Sequence, residues 1–383
     1  MEIIFWLSFV LIFYTYAGYP LLLFVISGLF QKPVKKKANE PQVSIILSAF
    51  NEEKAIERKL LNLLELNYPE HKFEILVGSD GAFDKTDEIV SRFHSTRIRF
   101  FRFVKNLGKP NVLKALAQEA QGEILIFTDA RQEFDRDAVK ALVANFEDSK
   151  VGCVSGELYL KQADESAVKS IGGGMNAYWR YEKFLRRRES ELGSMLGATG
   201  AIYAIRSRLF PKLLPADILV DDMYIPLEII GKGYRAVFES EARAYDCLSE
   251  RGVEEFKRKT RTLAGNYQIF MHFLNLFIPF KSPIAWQLFS HKFLRLLVPF
   301  FLFALFLSNL CILNRPLYFS FFAAQVLFYG MAILEVGQSK MRNGKRGLGY
   351  IPYTFCLLNY SALVGLIRFI TGKQNTAWGK AYA

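Results

Sequence analysis

Charged side chains recur in this 383-residue chain directly after short apolar runs: Glu52 after residues 43–50, Asp80 after 73–77, Lys109 beyond 98–104 and Asp129 after 123–128. An acid at a strand end is commonly the cap of the next helix, but several polar groups on one edge make a ligand site. A pair of acids, Asp221-Asp222, precedes a helical pattern over 223–230. Adjacent carboxylates repel, which raises the pKa of one and suits it to take a proton from a hydroxyl; capping that helix is the alternative. Arg131, Arg258 and Arg261 offer forked donors that match phosphate oxygens, although a solvated basic face over 254–261 also accounts for the last two. The glycine-rich stretch 193–200 lets backbone approach a ligand closely. Tyr178-Trp179-Arg180-Tyr181 presents ring faces suited to a carbohydrate or, equally, to a core. No GxGxxG follows the first apolar run and no GxxxxGK[ST] occurs, which removes support for dinucleotide and P-loop chemistry. The four cysteines are too widely spaced for a CxxC zinc pattern or a dense disulfide framework.

The elements that must hold these groups follow from periodicity. The apolar runs are of buried-strand type, and the segment through Ile56, Leu60, Leu63 and Leu64 has helical spacing. Strand and helix signals alternate from about residue 41 to 268, which predicts an α/β fold with a mainly parallel sheet. A fifth strand is expected over 201–205.

Outside that middle, the composition changes. Hydrophobic residues make up 51% of the chain and charged ones 22%, yet Lys+Arg exceed Asp+Glu by 49 to 37, a net charge of +12. Residues 3–30 carry no ionisable group other than tyrosine and exceed the roughly 20 residues a helix needs to cross hydrocarbon. Glu2 and the length of the run oppose a cleaved leader, so a retained anchor is expected, tilted or kinked near Gly18-Tyr19-Pro20. Residues 293–313, 317–336 and 349–370 also qualify as spans, the last as a span or a re-entrant segment. Lys32, Lys35, Lys36 and Lys37 follow the first run, and Lys340, Arg342, Lys345 and Arg346 separate the last two. Both clusters predict a cytosolic side with the N-terminus outside; four spans would then put the C-terminal tail outside, against which Lys373 and Lys380 argue mildly. Basic clusters beside membrane runs point to a lipid bilayer and not to nucleic acid, for which no zinc-finger spacing or RNP-like motif is present. The expected organisation is a transmembrane anchor (1–30), a basic linker (31–41), a cytosolic domain (42–268), an interfacial segment (269–292) and a C-terminal membrane region of about three spans (293–383).

Over residues 43–268 the chain resembles family 2 glycosyltransferases, inverting nucleotide-sugar enzymes of GT-A fold. Within them it is similar to the membrane-embedded branch of cellulose, hyaluronan and poly-N-acetylglucosamine synthases. Ser48-Ala-Phe-Asn-Glu-Glu53 resembles the first-strand motif, which implies nucleotide contacts for Ser48, Phe50 and Glu52. Ser79-Asp80-Gly81 matches the motif that reads uracil, and Gly108-Lys109 the GK segment near the nucleotide. Thr128-Asp129-Ala130 matches the start of the DxD motif, which implies a divalent cation, Mg or Mn, at Asp129. Val220-Asp221-Asp222 resembles the ED or DD motif and aligns Asp222 with the general base. The glycine-rich stretch corresponds to an acceptor-facing region, which implies acceptor contacts for Gly197 and Thr199, with Trp179 upstream. Two departures stand out. Arg131 replaces the second acid of DxD, leaving Glu133 as a substitute ligand or Arg131 itself as a phosphate donor. Arg258 and Arg261 keep the RxxR spacing of the QxxRW motif of processive synthases, but Thr262 stands where tryptophan would. The resemblance implies sugar transfer from a nucleotide sugar, UDP-linked, to a growing polysaccharide such as an exopolysaccharide. Single addition to a lipid-linked acceptor is the alternative, and a silent assembly partner a third. It further implies a bacterial inner membrane and an export or assembly partner protein.

Overall fold

The computed structural model describes residues 1–161, 173–247, 252–341, 347 and 349–372. Arg342, Lys345, Arg346, Lys373 and Lys380, used above to orient the spans, lie outside the described residues. The chain forms two compact units, one from Phe30–Lys161 and Arg186–Leu248, the other from Met1–Leu29, Gln162–Leu185 and Ser249–Gln374.

The first unit is built on a sheet of eight strands: β1 (Val43–Ala49), β2 (Phe73–Asp80), β3 (Ile98–Phe103), β4 (Ile124–Asp129), β5 (Glu133–Phe134), β6 (Val151–Lys161), β7 (Tyr203–Arg206) and β8 (Arg235–Cys247). Their order across the sheet is β3-β2-β1-β4-β7-β6-β8-β5. The half predicted from the sequence, β3-β2-β1-β4, is parallel throughout. Beyond it β7 runs antiparallel to β4 and β6, β8 returns parallel to β6, and β5 closes the far edge antiparallel to β8. Every residue of β1 is buried, as expected of a strand covered on both faces. Its core neighbours include Ile56, Leu60 and Leu63 from helix Ile56–Leu64, the side on which the helical spacing put them. The register sets Ser48 of β1 between Gly78 of β2 and Asp129 of β4, so the three strands end level and their polar termini share one edge. At the other end of the order, β3 carries Arg99 and Arg102, paired with Glu74 at 2.9 Å and Asp87 at 2.6 Å. At β5, the amide of Asn62 donates to the Phe134 carbonyl at 3.0 Å and accepts from its N–H at 2.8 Å.

The second unit is helical. Among the described residues, four helices of this unit are long and apolar enough to cross a membrane: Glu2–Leu29, Ala285–Leu310, Pro316–Val336 and Tyr350–Thr371. The irregularity expected in the first is a π-helical stretch, Tyr14–Gly18. Pro20 has no N–H to give the Tyr16 carbonyl four residues earlier, and that oxygen accepts from the Tyr181 hydroxyl at 3.3 Å. Farther along the same helix, Tyr14 bonds Ser290 at 2.8 Å and Trp286 at 2.9 Å. Glu182, buried, holds Arg295 and lies 3.3 Å from His291, so its charge is paired as a buried charge must be.

Helix Gly252–His272, which carries Arg258 and Arg261, packs within this unit on helix Tyr350–Thr371. Gly365 makes the approach close: a Cβ there would come within 3.0 Å of the Ala264 backbone nitrogen. Nearby, the Tyr267 and Phe369 rings stack at 5.9 Å. Substituting Gly365→Val forces these two helices apart and is expected to lower stability by about 1–3 kcal/mol. The loss is read as a lower melting temperature of purified protein in lipid nanodiscs, with Gly330→Val, where a side chain meets only open space, as the control.

Candidate active site

The polar edge of the parallel half is organised around Lys109. Asp80 ends β2 fully buried, and its two oxygens accept from the backbone N–H groups of Leu107 at 2.6 Å and Gly108 at 3.0 Å. Burial raises the Asp80 pKa while those N–H groups pull it back. Held in this way, Gly108 adopts a φ of +83°, a conformation open to glycine, and starts helix Lys109–Glu119 with Lys109 as its first residue. The Asp80 carboxylate thus serves as a strut for the loop before Lys109, a use that the sequence pattern did not disclose.

Lys109 Nζ lies 2.8 Å from Asp129 Oδ1 and 3.7 Å from Asp221 Oδ2. Burial alone would lower its pKa, but Asp129, Asp221 and Asp222 overcome that and hold it above the ordinary lysine value. Asp221 and Asp222 open helix Asp221–Gly231, whose N-cap is Val220 with no side-chain cap hydrogen bond, so neither acid is a cap. Asp222 points away from its own helix instead and accepts from Gly200 N–H at 3.0 Å. Its carbonyl accepts from Ala198 N–H at 2.8 Å, and Thr199 N–H donates to Ser155 Oγ at 3.1 Å, which fixes the glycine-rich loop against the acid pair. Gly197 faces the same helix, where a Cβ would lie 3.3 Å from Met223 Cγ. Burial, then the Asp221 charge, push the Asp222 carboxyl up to about 6, against the pull of Lys109 and Arg186.

Gly200 marks the point where these groups meet. A Cβ on it would lie 3.4 Å from Asp222 Oδ2, 3.7 Å from Asp129 Oδ2 and 3.8 Å from Lys109 Nζ. Ser48 is buried on the neighbouring strand, and Phe50 packs edge-on to Phe83 at 5.9 Å. Glu52 has its pKa raised by burial, with the Arg131 charge opposing that and Asp129, Asp84 and Asp246 adding to it. The edge therefore brings together Ser48, Glu52, Lys109, Asp129, Arg131, Asp222 and Gly200. Trp179, Arg258 and Arg261 belong to the helical unit, where cations occupy the indole faces: Arg258 stands 6.0 Å and Lys259 5.1 Å from the Trp179 ring.

The donor set limits what metal the edge can hold. Among the described residues no three His, Cys, Asp or Glu side chains converge as a ligand cage. Glu133, the substitute for the missing DxD acid, pairs with Arg58 at 2.6 Å, and Asp129 Oδ1 is taken by Lys109. Asp129 Oδ2 faces the shared space at Gly200, and the buried Asp221 Oδ2 has no hydrogen-bond partner. That set suits a hard divalent ion carried by phosphate oxygens and completed by one carboxylate, not a resident ion held by protein alone.

The sheet order and the level polar edge define a GT-A fold, the nucleotide-diphospho-sugar transferase architecture. Among solved structures, the mannosyltransferase of Pyrobaculum calidifontis in complex with GDP-Man and Mn2+ is similar with a TM-score of 0.74 at 20% identity, covering 97% of this chain and 100% of that one. Probable glycosyltransferase YdaM of Bacillus subtilis is 26% identical over 288 residues, 70% of this chain and 65% of that protein. Poly-beta-1,6-N-acetyl-D-glucosamine synthase of Staphylococcus aureus is 23% identical over 235 residues, 60% of this chain and 55% of that protein. The chain thus matches less than two thirds of the length of either relative. The sequence model of glycosyl transferase family 2 matches residues 44–214, and this part of the chain is a family 2 glycosyltransferase domain.

Asp80→Ala leaves the Leu107 and Gly108 N–H groups without their acceptor. It is expected to lower stability by about 1–3 kcal/mol per stranded group, measured by denaturant unfolding, while Asp80→Asn, which keeps one acceptor oxygen, loses less.

Proposed function

We propose that this protein transfers a sugar from a nucleotide-sugar donor, UDP-linked, to a growing polysaccharide, with inversion at the anomeric carbon. The reading rests on one observation: Asp222 Oδ2, Asp129 Oδ2 and Lys109 Nζ all lie within 4 Å of the point a Cβ on Gly200 would occupy. A base, a leaving-group cation and room for the reacting atoms coincide there. The acceptor hydroxyl attacks the anomeric carbon from the face opposite the diphosphate, and Asp222 takes its proton as the new C–O bond forms. The bond to the donor phosphate breaks, and its electron pair leaves with the nucleoside diphosphate, whose charge Lys109 and Arg131 stabilise. A divalent ion bound with the diphosphate at Asp129 would add charge neutralisation. The proton goes to Asp222 and then to solvent, which balances the step.

The similarity to the poly-beta-1,6-N-acetyl-D-glucosamine synthase supports a polymeric product. A second reading, one addition to a lipid carrier or glycolipid, is supported by Thr262 in the position where processive synthases carry tryptophan. Residues 42–268 are proposed to face the cytosol, supported by Lys32, Lys35, Lys36 and Lys37 directly after the first apolar helix. Of these, Lys36 is also bound to Glu239 at 2.6 Å.

The test is release of nucleoside diphosphate by purified protein in lipid, offered labelled UDP- and GDP-sugars, with product length separating polymer from single addition. Asp222→Asn is expected to lower kcat about 100- to 10,000-fold, the range for loss of a general base. Unchanged turnover in that variant would remove Asp222 from the role.

The pH profile offers a second check. Asp222 works as the carboxylate, so kcat/KM should fall as pH drops through about 6 and be roughly tenfold below its plateau one unit lower. EDTA should abolish turnover and Mn2+ or Mg2+ restore it; full activity in EDTA excludes Asp129 as a ligand.

A further inference from the structure

Behind the site lies a buried cation that the proposed reaction does not use. Lys59, on helix Ile56–Leu64, is 1% exposed. Its ammonium donates to the backbone carbonyl of Gln132 at 2.6 Å and stands 4.0 Å from the centre of the Phe134 ring. A lysine is rarely buried without a specific reason, because its charge loses the solvation of water. Burial draws this one down to about 7, against the attraction of Asp129 and Glu133.

The surroundings show what the ammonium holds. The segment between β4 and β5 is only Ala130-Arg131-Gln132, and it carries Arg131 at its centre. Its upstream end is fixed, since Asp129 is in register with Ser48 of β1. Its downstream end is gripped by successive side chains of one helix: Arg58 on Glu133 at 2.6 Å, Lys59 on the Gln132 carbonyl, and Asn62 on both backbone groups of Phe134. The Gln132 amide also donates to Asp246 at 2.7 Å, at the end of β8. Of these contacts, the one from Lys59 is the only one that brings a buried charge.

We propose that Lys59 is a positioning residue for the diphosphate: its ammonium fixes the Gln132 carbonyl and with it the three-residue segment that presents Asp129 and Arg131 to the phosphate oxygens. The proposal rests on the reading of that edge as the diphosphate end of a nucleotide-sugar site. Lys59 itself touches no substrate. It predicts a defect confined to ligands that carry a second phosphate.

The test compares nucleotide affinities in the full-length protein in lipid nanodiscs, using UDP, UMP, GDP and GMP by calorimetry. In the wild type a nucleoside diphosphate should bind more tightly than its monophosphate. Lys59→Met should weaken the diphosphate at least tenfold, leave the monophosphate within about twofold, and raise the donor KM more than it lowers kcat. Lys59→Gln, which retains a neutral donor toward the Gln132 carbonyl, should fall between, and serves alone where the methionine variant does not fold. Equal weakening of di- and monophosphate would make Lys59 a purely structural residue and overturn the proposal. Unchanged affinity for both would do the same. If the wild type binds none of the four nucleotides, the nucleotide-sugar reading fails first, and the role of Lys59 falls with it.

Discussion

Three carboxylates brought to one half-buried edge repel one another, and the ammonium of Lys109 is what allows Asp129, Asp221 and Asp222 to coexist there. Its position is set by steps that begin elsewhere in the chain. Asp80 braces the loop, Gly108 turns it through a left-handed conformation, and the helix that follows delivers Lys109 to the acids. Asp222, next to that neutralised pair, stays poised to gain a proton near neutral pH, while its other contact, to Gly200, aims it at the open space. Fold and chemistry meet in one ion-pair cluster, and most of the other contacts at this edge serve to keep it in place.

The parallel half of the sheet was legible because its strands are short apolar runs and its polar groups fall at their ends. The structure ends β2 at Asp80 and β4 at Asp129 and so includes in each strand the acid that the sequence put just beyond it. The other half was not legible apart from β7, expected over 201–205 and found at Tyr203–Arg206. β6 and β8 pair with each other across about 80 residues of sequence, and β8 mixes Arg, Glu and Ala in a way that local periodicity does not separate from a loop. Asp129, Asp222 and Lys109 were recognisable from motif and placement. The bracing of the loop before Lys109 by Asp80 had no local signal, since the N–H groups it accepts from lie 27 and 28 positions away. Lys59 carried no signal at all: a lone lysine in an amphipathic segment reads as solvated until tertiary packing shows which way it points.

The helical unit repeats the lesson in an apolar setting. Composition marked its long apolar helices well, and the break near Pro20 appeared as the π-helical stretch. The polar contacts among Glu182, His291 and Arg295, and those of Tyr14 with Ser290 and Trp286, had no counterpart in the sequence reading. Such contacts are between segments 109 to 276 residues apart, and hydropathy averages them away.

The amide of Asn62 on Phe134 has a consequence for the sheet as a whole. A terminal strand ordinarily leaves a row of unpaired N–H and C=O groups, on which a strand of another molecule can settle. At β5 the N–H and C=O of the buried Phe134 are already satisfied by one side chain that imitates the missing neighbour, and at β3 arginines fixed in ion pairs crowd the rim. The sheet is thereby finished at both margins, one by a plug and one by charge. Copies of the protein can then crowd against one another without joining strand to strand.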